Sequence, residues 1–238
     1  LCYHHLPVII AGVGSGLGYA ELGATHHACE DIAMLRVLPG MTVVCPADPV
    51  ELSPAMTQAM TINGPVYLRL GKKGEPVVHL DTPDFHIGQS LPVKPGKDIC
   101  LLSTGTILPV VLDAASLLSQ QGIDAAVESF HTVKPLDDAS LKRAFGQYKL
   151  VVTIEEHSLI GGFGSAVAEW VIDQQWSSIT HGRLLRIGTP DAFLHESTHY
   201  DTARLRCGLT ADAIAHRIAD AYAHTGPTPS AIFIQQVS

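Results

Sequence analysis

The chemistry-bearing residues of this 238-residue chain gather in a few short stretches. Gly23-Ala24-Thr25-His26 leads into Ala28, Ile32 and Leu35, whose spacing predicts a helix capped by Thr25, with His26 in its first turn. The positive end of a helix dipole disfavours an imidazolium. A neutral His26 could then polarise a carbonyl by donating one hydrogen bond. It is one of 13 histidines, so neighbouring residues must support a chemical role.

Other stretches invite blander readings. Gly12-x-Gly14-x-Gly16-x-Gly18 follows an apolar strand, as a dinucleotide-binding fingerprint does, but no helix opens directly behind it. A loop needing positive φ and close backbone approach accounts for these glycines. Gly161-Gly162-Phe163-Gly164 opens a helix and could offer backbone N–H groups to an anion, although close packing explains it as well. Glu155-Glu156-His157 ends a strand, and a solvated strand end is expected there. His195 and His199 flank Glu196 at the i, i+4 spacing of a metal pair. They lack an apolar helical period and a third ligand, so no metal site is expected.

These residues must be positioned by alternating strands and helices. Leu6 to Val13, Met41 to Cys45 and Val66 to Leu70 read as strands. Asp48-Pro49 opens a helix that Pro54 should kink or restart. Residues 76–97 are rich in Pro, Gly, Lys and His and read as a linker. Strands at Asp98 to Ser103, Ile123 to Ser129, Lys149 to Glu155 and Leu184 to Ile187 then alternate with helices at Ile107 to Gln121, Leu136 to Phe145, Gly164 to Gln174 and Thr210 to Tyr222. The expected fold is α/β, two units with parallel or mostly parallel sheets. The units span 1–75 and 98–225, with a tail over 226–238 that orders only by docking.

Composition narrows the class. A formal charge of −8 with no Lys or Arg run excludes an electrostatic grip on nucleic acid or an anionic membrane. With 46% hydrophobic residues against 16% charged, the chain is globular. Leu6 to Ala20 is too short and glycine-interrupted for a membrane span, and with no Lys or Arg in Leu1 to His5 and no clean small-residue cleavage site a secretory signal is not expected. Five scattered cysteines without a Cys-x-x-Cys pair point to a reducing compartment, the cytoplasm. Opening on Leu1 without a methionine and running straight into an apolar strand reads as a truncation.

Two motif blocks carry a family resemblance. Gly23-Ala24-Thr25-His26, Asp31-Ile32-Ala33-x-Leu35-Arg36, Pro39-Gly40-Met41-x-Val43, Pro46-Ala47-Asp48-x-x-Glu51 and Gly64-Pro65-Val66-Tyr67-Leu68-Arg69 resemble the pyrimidine-binding domain of transketolases and 1-deoxyxylulose-5-phosphate synthases. Glu155-Glu156-His157-Ser158-x-x-Gly161-Gly162-Phe163-Gly164-Ser165-Ala166-Val167-Ala168-Glu169 resembles their C-terminal domain.

The resemblance implies the C-terminal portion or subunit of a thiamine diphosphate-dependent, transketolase-like transferase that moves a two-carbon ketol unit, the cofactor supplying carbanion stabilisation. Region 1–75 would be the second half of the pyrimidine-binding domain. The glutamate that activates the cofactor, and the diphosphate and Mg²⁺ site, would lie outside this chain. The implied partner is a diphosphate-binding domain or subunit, in a homo-dimer or hetero-tetramer. His26 matches the family histidine beside the thiazolium that contacts the substrate oxygen. Lys72 falls where an arginine usually binds substrate phosphate, with Arg69 as its companion. Lysine keeps the charge but loses the bidentate fork.

Two positions depart from the transketolase pattern. Leu22 replaces an aspartate that reads a donor hydroxyl, and Gly14 replaces a substrate-contacting histidine. Losing these polar groups should weaken discrimination for a hydroxylated chain unless Glu21 turns in to take the aspartate's place. Rival readings are a synthase-like protein, a 2-oxo acid dehydrogenase beta-like component, or a non-catalytic interaction module that kept the fold.

Overall fold

The computed structural model describes residues 1–174 and 182–225; the expected tail over 226–238 lies outside them. In the first unit, strand β1 (Ile9–Val13) is followed by a glycine loop, helix α1 (Asp31–Arg36), β2 (Thr42–Val44), α2 (Pro49–Ala59) and β3 (Val66–Leu70). The three strands pair in parallel in the order β1-β3-β2. Central β3 is buried from Val66 to Arg69, as its apolar run predicts. β1 is an edge, and Val13 there is 54% exposed.

Asp48 caps α2 through Oδ1, which accepts from the N–H groups of Val50 and Glu51 at 2.9 and 2.8 Å. Pro54 neither ends nor restarts α2, which runs on to Ala59. It deletes only the N–H that would bond Val50, near the helix start.

The second unit is built from β4 (Leu91–Lys94), β5 (Ile99–Thr104), α3 (Leu108–Gln120), β6 (Ala125–Ser129), β7 (Thr132–Lys134), α4 (Asp138–Gln147), β8 (Leu150–Ser158), α5 (Phe163–Asp173), β9 (Arg183–Thr189), α6 (Tyr200–Arg206) and α7 (Ala211–Ala223). Its sheet has the order β4-β6-β5-β8-β9, all parallel except edge strand β4. β4 lies inside the stretch expected as linker, so part of 76–97 is sheet. Gly122, at φ 80°, lets the chain turn out of α3 toward β6.

The units share structure. β7 leaves the second unit and pairs antiparallel with β2, completing the first sheet as β1-β3-β2-β7. One core joins α3 and α7 to the second sheet through Leu101, Val111, Val127, Val152, Ile214 and Ile218. A second core packs α4 and α5 between the sheets, with Phe130, Phe145 and Phe163 meeting Ile32, Val43 and Tyr67 of the first unit.

Candidate functional site

The helix expected at Thr25 begins instead at Asp31, and Thr25 makes no capping bond. His26 ends a short 3-10 turn (Ala24–His26) and is exposed. The dipole argument for its neutrality therefore does not apply, because no helix opens at its position. Its ring is oriented by Thr25, whose hydroxyl lies 3.0 Å from Nδ1, which leaves Nε2 free to face outward.

The loop carrying His26 is pinched at its neck. Gly16 and Ala28 form an antiparallel bridge, their N–H groups donating to each other's carbonyls at 3.1 and 2.8 Å. Gly16 is required here: its φ is 59°, and a Cβ would sit 2.5 Å from Glu156 Oε1.

Lys72 leaves the end of β3 and turns back toward that loop. Its Nζ lies 3.2 Å from Glu21 Oε2 and 5.2 Å from the centre of the Tyr19 ring. Its own backbone hydrogen bond and the pair with Lys72 hold the Glu21 carboxyl below its ordinary value. Glu21 thus turns toward Lys72, while Leu22 remains 53% exposed. The Tyr19 ring also fills the space beside Gly14, where a Cβ would meet it at 2.1 Å. A histidine side chain at Gly14 would need that ring to move. A cleft of about 230 Å³ opens beside Lys72, lined also by Val13, Leu70, Lys73 and Thr106.

Arg69, expected beside Lys72 as a substrate contact, faces the interior and is 2% exposed. Its Nε donates to Asp31 Oδ2 at 2.8 Å, and its Nη2 donates to the carbonyls of Ala28 and Glu156 at 2.7 and 3.1 Å. Burial alone would raise the Asp31 carboxyl, but the Arg69 charge and the Tyr67 hydroxyl hold it low. The corrected position has a simple cause: both faces of central β3 are covered, so every side chain from Val66 to Arg69 is buried. Arg69 ties the neck of the His26 loop to β8.

Glu155, Glu156 and His157, expected at a solvated strand end, are all buried. In the second sheet the strand order reverses between β5 and β8, where doubly wound sheets commonly bind ligands at their carboxyl ends. Here the first unit fills that crevice. Glu156 Oε1 accepts from the Leu17 N–H at 2.8 Å, and Ser15 Oγ lies 3.4 Å from Thr106 Oγ1. His157 donates from Nδ1 to the Ser158 carbonyl at 2.8 Å and accepts at Nε2 from the Ala33 N–H at 3.3 Å. Burial pushes its pKa down to about 4, so the ring is neutral.

The glycines at 161, 162 and 164 do open α5 onto an anion, but it is the chain's own Glu155. Its carboxylate accepts from the N–H groups of Phe163 and Gly164 at 2.6 and 2.8 Å. Burial nevertheless pushes Glu155 up to about 7.

No group of three His, Cys, Asp or Glu among the described residues could hold a metal ion. Helices α2, α4 and α7 are capped by Asp48, Asp137 and Thr210, as α5 is by Glu155. These four helix starts therefore offer no free cradle for a diphosphate, whereas α1, α3 and α6 carry no side-chain cap. No helix among them is long and apolar enough to cross a membrane.

Sequence reasoning missed Tyr200 and Arg204, which bond Glu156, because α6 carries no strong helical period. The run of three ionisable residues at the end of an apolar strand was the available signal.

Comparison with known proteins agrees with this architecture. The transketolase pyrimidine-binding domain family matches residues 2–75, and the transketolase C-terminal domain family matches 88–214. The putative transketolase C-terminal section of Methanocaldococcus jannaschii is 33% identical over 222 residues, spanning 92% of this chain and 68% of that protein. The 1-deoxy-D-xylulose-5-phosphate synthase of Chlorobium phaeovibrioides is 36% identical over 217 residues, 90% of this chain but 33% of the synthase. A solved split-gene transketolase, described as an inactive beta4 tetramer, superposes with TM-score 0.84 at 35% identity, covering 95% of this chain and 70% of its own. With both domain families matched in order on a fold that superposes this closely, the chain belongs to the transketolase family and is a partial chain of a thiamine diphosphate-dependent, transketolase-like enzyme.

Proposed function

We propose that this chain acts with a diphosphate-binding chain or domain to transfer a two-carbon ketol unit between small sugar-like or 2-oxo substrates. The bound cofactor supplies carbanion stabilisation. His26 donates from Nε2 to the substrate oxygen on which negative charge develops, and Thr25, donating to Nδ1, keeps the proton on Nε2. Lys72 holds an anionic group of the substrate at the mouth of the neighbouring cleft. Arg69 acts indirectly, by holding the His26 loop.

One observation carries this reading. The Lys72–Glu21 pair sets Lys72 beside the loop that bears His26, so the two expected contacts lie on neighbouring segments. The cytoplasm is the proposed compartment, since all five cysteines are free thiols. The exposed Leu22, and the Tyr19 ring beside Gly14, favour a donor with fewer hydroxyls to read than xylulose 5-phosphate.

The test uses the chain assembled with its diphosphate-binding partner. His26→Ala is expected to lower kcat about 100-fold or more, the usual scale for one removed charge-stabilising donor. Unchanged turnover would end the catalytic role of His26, and an assembly with no turnover in the parent protein would leave the interaction module. Kinetics on xylulose 5-phosphate equal to those on simpler ketol or 2-oxo donors would overturn the specificity reading.

A further inference from the structure

The Glu156 carboxylate belongs to the C-terminal unit, yet it is the buried anchor of the His26 loop. It is 1% exposed and lies at the end of β8, in the crevice where the strand order reverses. Three donors converge on its two oxygens in four contacts. The Leu17 N–H donates to Oε1 at 2.8 Å, Arg204 Nε donates to Oε2 at 2.6 Å, and the Tyr200 hydroxyl lies 3.0 Å from each oxygen. Arg204 is itself fixed: its guanidinium stacks 4.1 Å from the Tyr200 ring centre, its Nη2 donates to the Tyr200 oxygen, and it also approaches the Thr106 carbonyl at 3.4 Å.

The loop is held from the C-terminal unit at three further points. Ser158 N–H donates to the Cys29 carbonyl at 2.8 Å, Thr198 N–H donates to the Ala20 carbonyl at 3.1 Å, and the Glu156 carbonyl accepts from Arg69. Leu17 and Ala20 pack against Ala203 of α6. Within the C-terminal unit, the Glu156 carboxylate is the buried acid placed against the Gly16–Ala28 neck, which Arg69 reaches from β3. His26 lies two residues from Ala28, so a shift of the neck moves its ring directly.

We infer that Glu156 is a positioning residue for the reaction: with Arg204 and Tyr200 it sets where the His26 loop lies, so that the C-terminal unit tunes a side chain borne by the pyrimidine-binding unit. Its link to the reaction rests on the role proposed above for His26; its hold on the loop does not. A buried carboxylate with charge-assisted bonds fixes a backbone donor more tightly than neutral bonds do, and a displacement of about 1 Å at a reacting group can cost about 100-fold in rate.

The experiment therefore has two arms. Hydrogen–deuterium exchange on the full chain compares Glu156→Gln with the parent protein. The expected result is at least tenfold faster exchange over residues 16–28, with β5, β6 and α3 unchanged. Tyr200→Phe keeps the ring and removes the hydroxyl, and is expected to give a smaller change of the same pattern, about threefold. If Glu156→Gln fails to fold, the Tyr200→Phe comparison decides. Exchange over 16–28 that stays at the parent rate, or rises equally across the whole second sheet, overturns the inference whatever the activity.

The second arm measures the assembled complex. Glu156→Gln is expected to lower kcat about tenfold to 100-fold while KM for the donor moves less than threefold. A purely structural role would lower the amount of active complex without this split between its kcat and KM. Loosened loop exchange with unchanged turnover in both Glu156→Gln and His26→Ala would remove the catalytic role of His26 while leaving Glu156 as anchor of the loop. Unchanged turnover in Glu156→Gln alone would overturn the positioning role.

Discussion

At the residue scale, two cations three positions apart meet opposite fates. Lys72, past the end of β3, is 41% exposed in its side chain and pairs with Glu21 at the surface. Such a pair is worth little in stability and is easily exchanged for a substrate anion. Arg69 sits inside the strand, and its pair with Asp31 is buried. Removing one member leaves the other charge stranded, which costs about 3–5 kcal/mol. Arg69→Met is therefore expected to lower stability in urea by that amount, and Lys72→Met to change it by less than about 1 kcal/mol. Equal midpoints for the two variants would contradict the difference in burial.

At the element scale, the connection from β6 to β7 carries the chain between the two sheets, and His131 lies on it. The ring is fully buried, stacked 3.8 Å from the Phe85 ring, with Nδ1 2.9 Å from the Thr132 hydroxyl and Nε2 without a partner among the described residues. Burial pushes its pKa down to about 4, while Glu51 and Asp137 pull weakly upward and His79 downward. Because the folded value lies below the ordinary value of about 6.5, the stability linked to this ring is present above about pH 6.5 and is lost as pH falls toward 4. The loss approaches about 1.4 kcal/mol per pH unit. His131→Phe keeps the stack and cannot be protonated, so its unfolding free energy should fall less between pH 7 and pH 5. Parallel losses in both proteins would assign the acid sensitivity elsewhere, to His157 for instance.

At the scale of the whole molecule, the two units are not beads on a string. The second unit lends β7 to the first sheet, α4 and α5 are packed between both sheets, and the reversal crevice of the second sheet is filled by the first unit's loop. Separating them would expose Phe130 and Phe163, take the Leu17 N–H from Glu156 and take the Glu156 carbonyl from Arg69. The described regions should therefore melt in one cooperative transition, with calorimetric and van't Hoff enthalpies agreeing. Two resolved transitions would show that the shared core contributes little.

Much of this was determined by the sequence alone. The alternating strands, Asp48 as cap of α2, Thr210 as cap of α7 and the breaker Gly122 are short-range features, each decided within a few residues by periodicity, capping or backbone freedom. The two motif blocks pointed to the family, and with it to His26 and Lys72. The fate of each charge was decided by tertiary structure. Nothing local distinguishes a solvated Glu156 from a buried one, because its Leu17 partner lies 139 residues away. The same holds for Arg69, and for β7, whose hydrogen-bonding partners are in the other unit. Burial is a property of what docks from afar, and Glu156 at the end of β8 is buried because a loop from the opposite end of the chain came to rest on it.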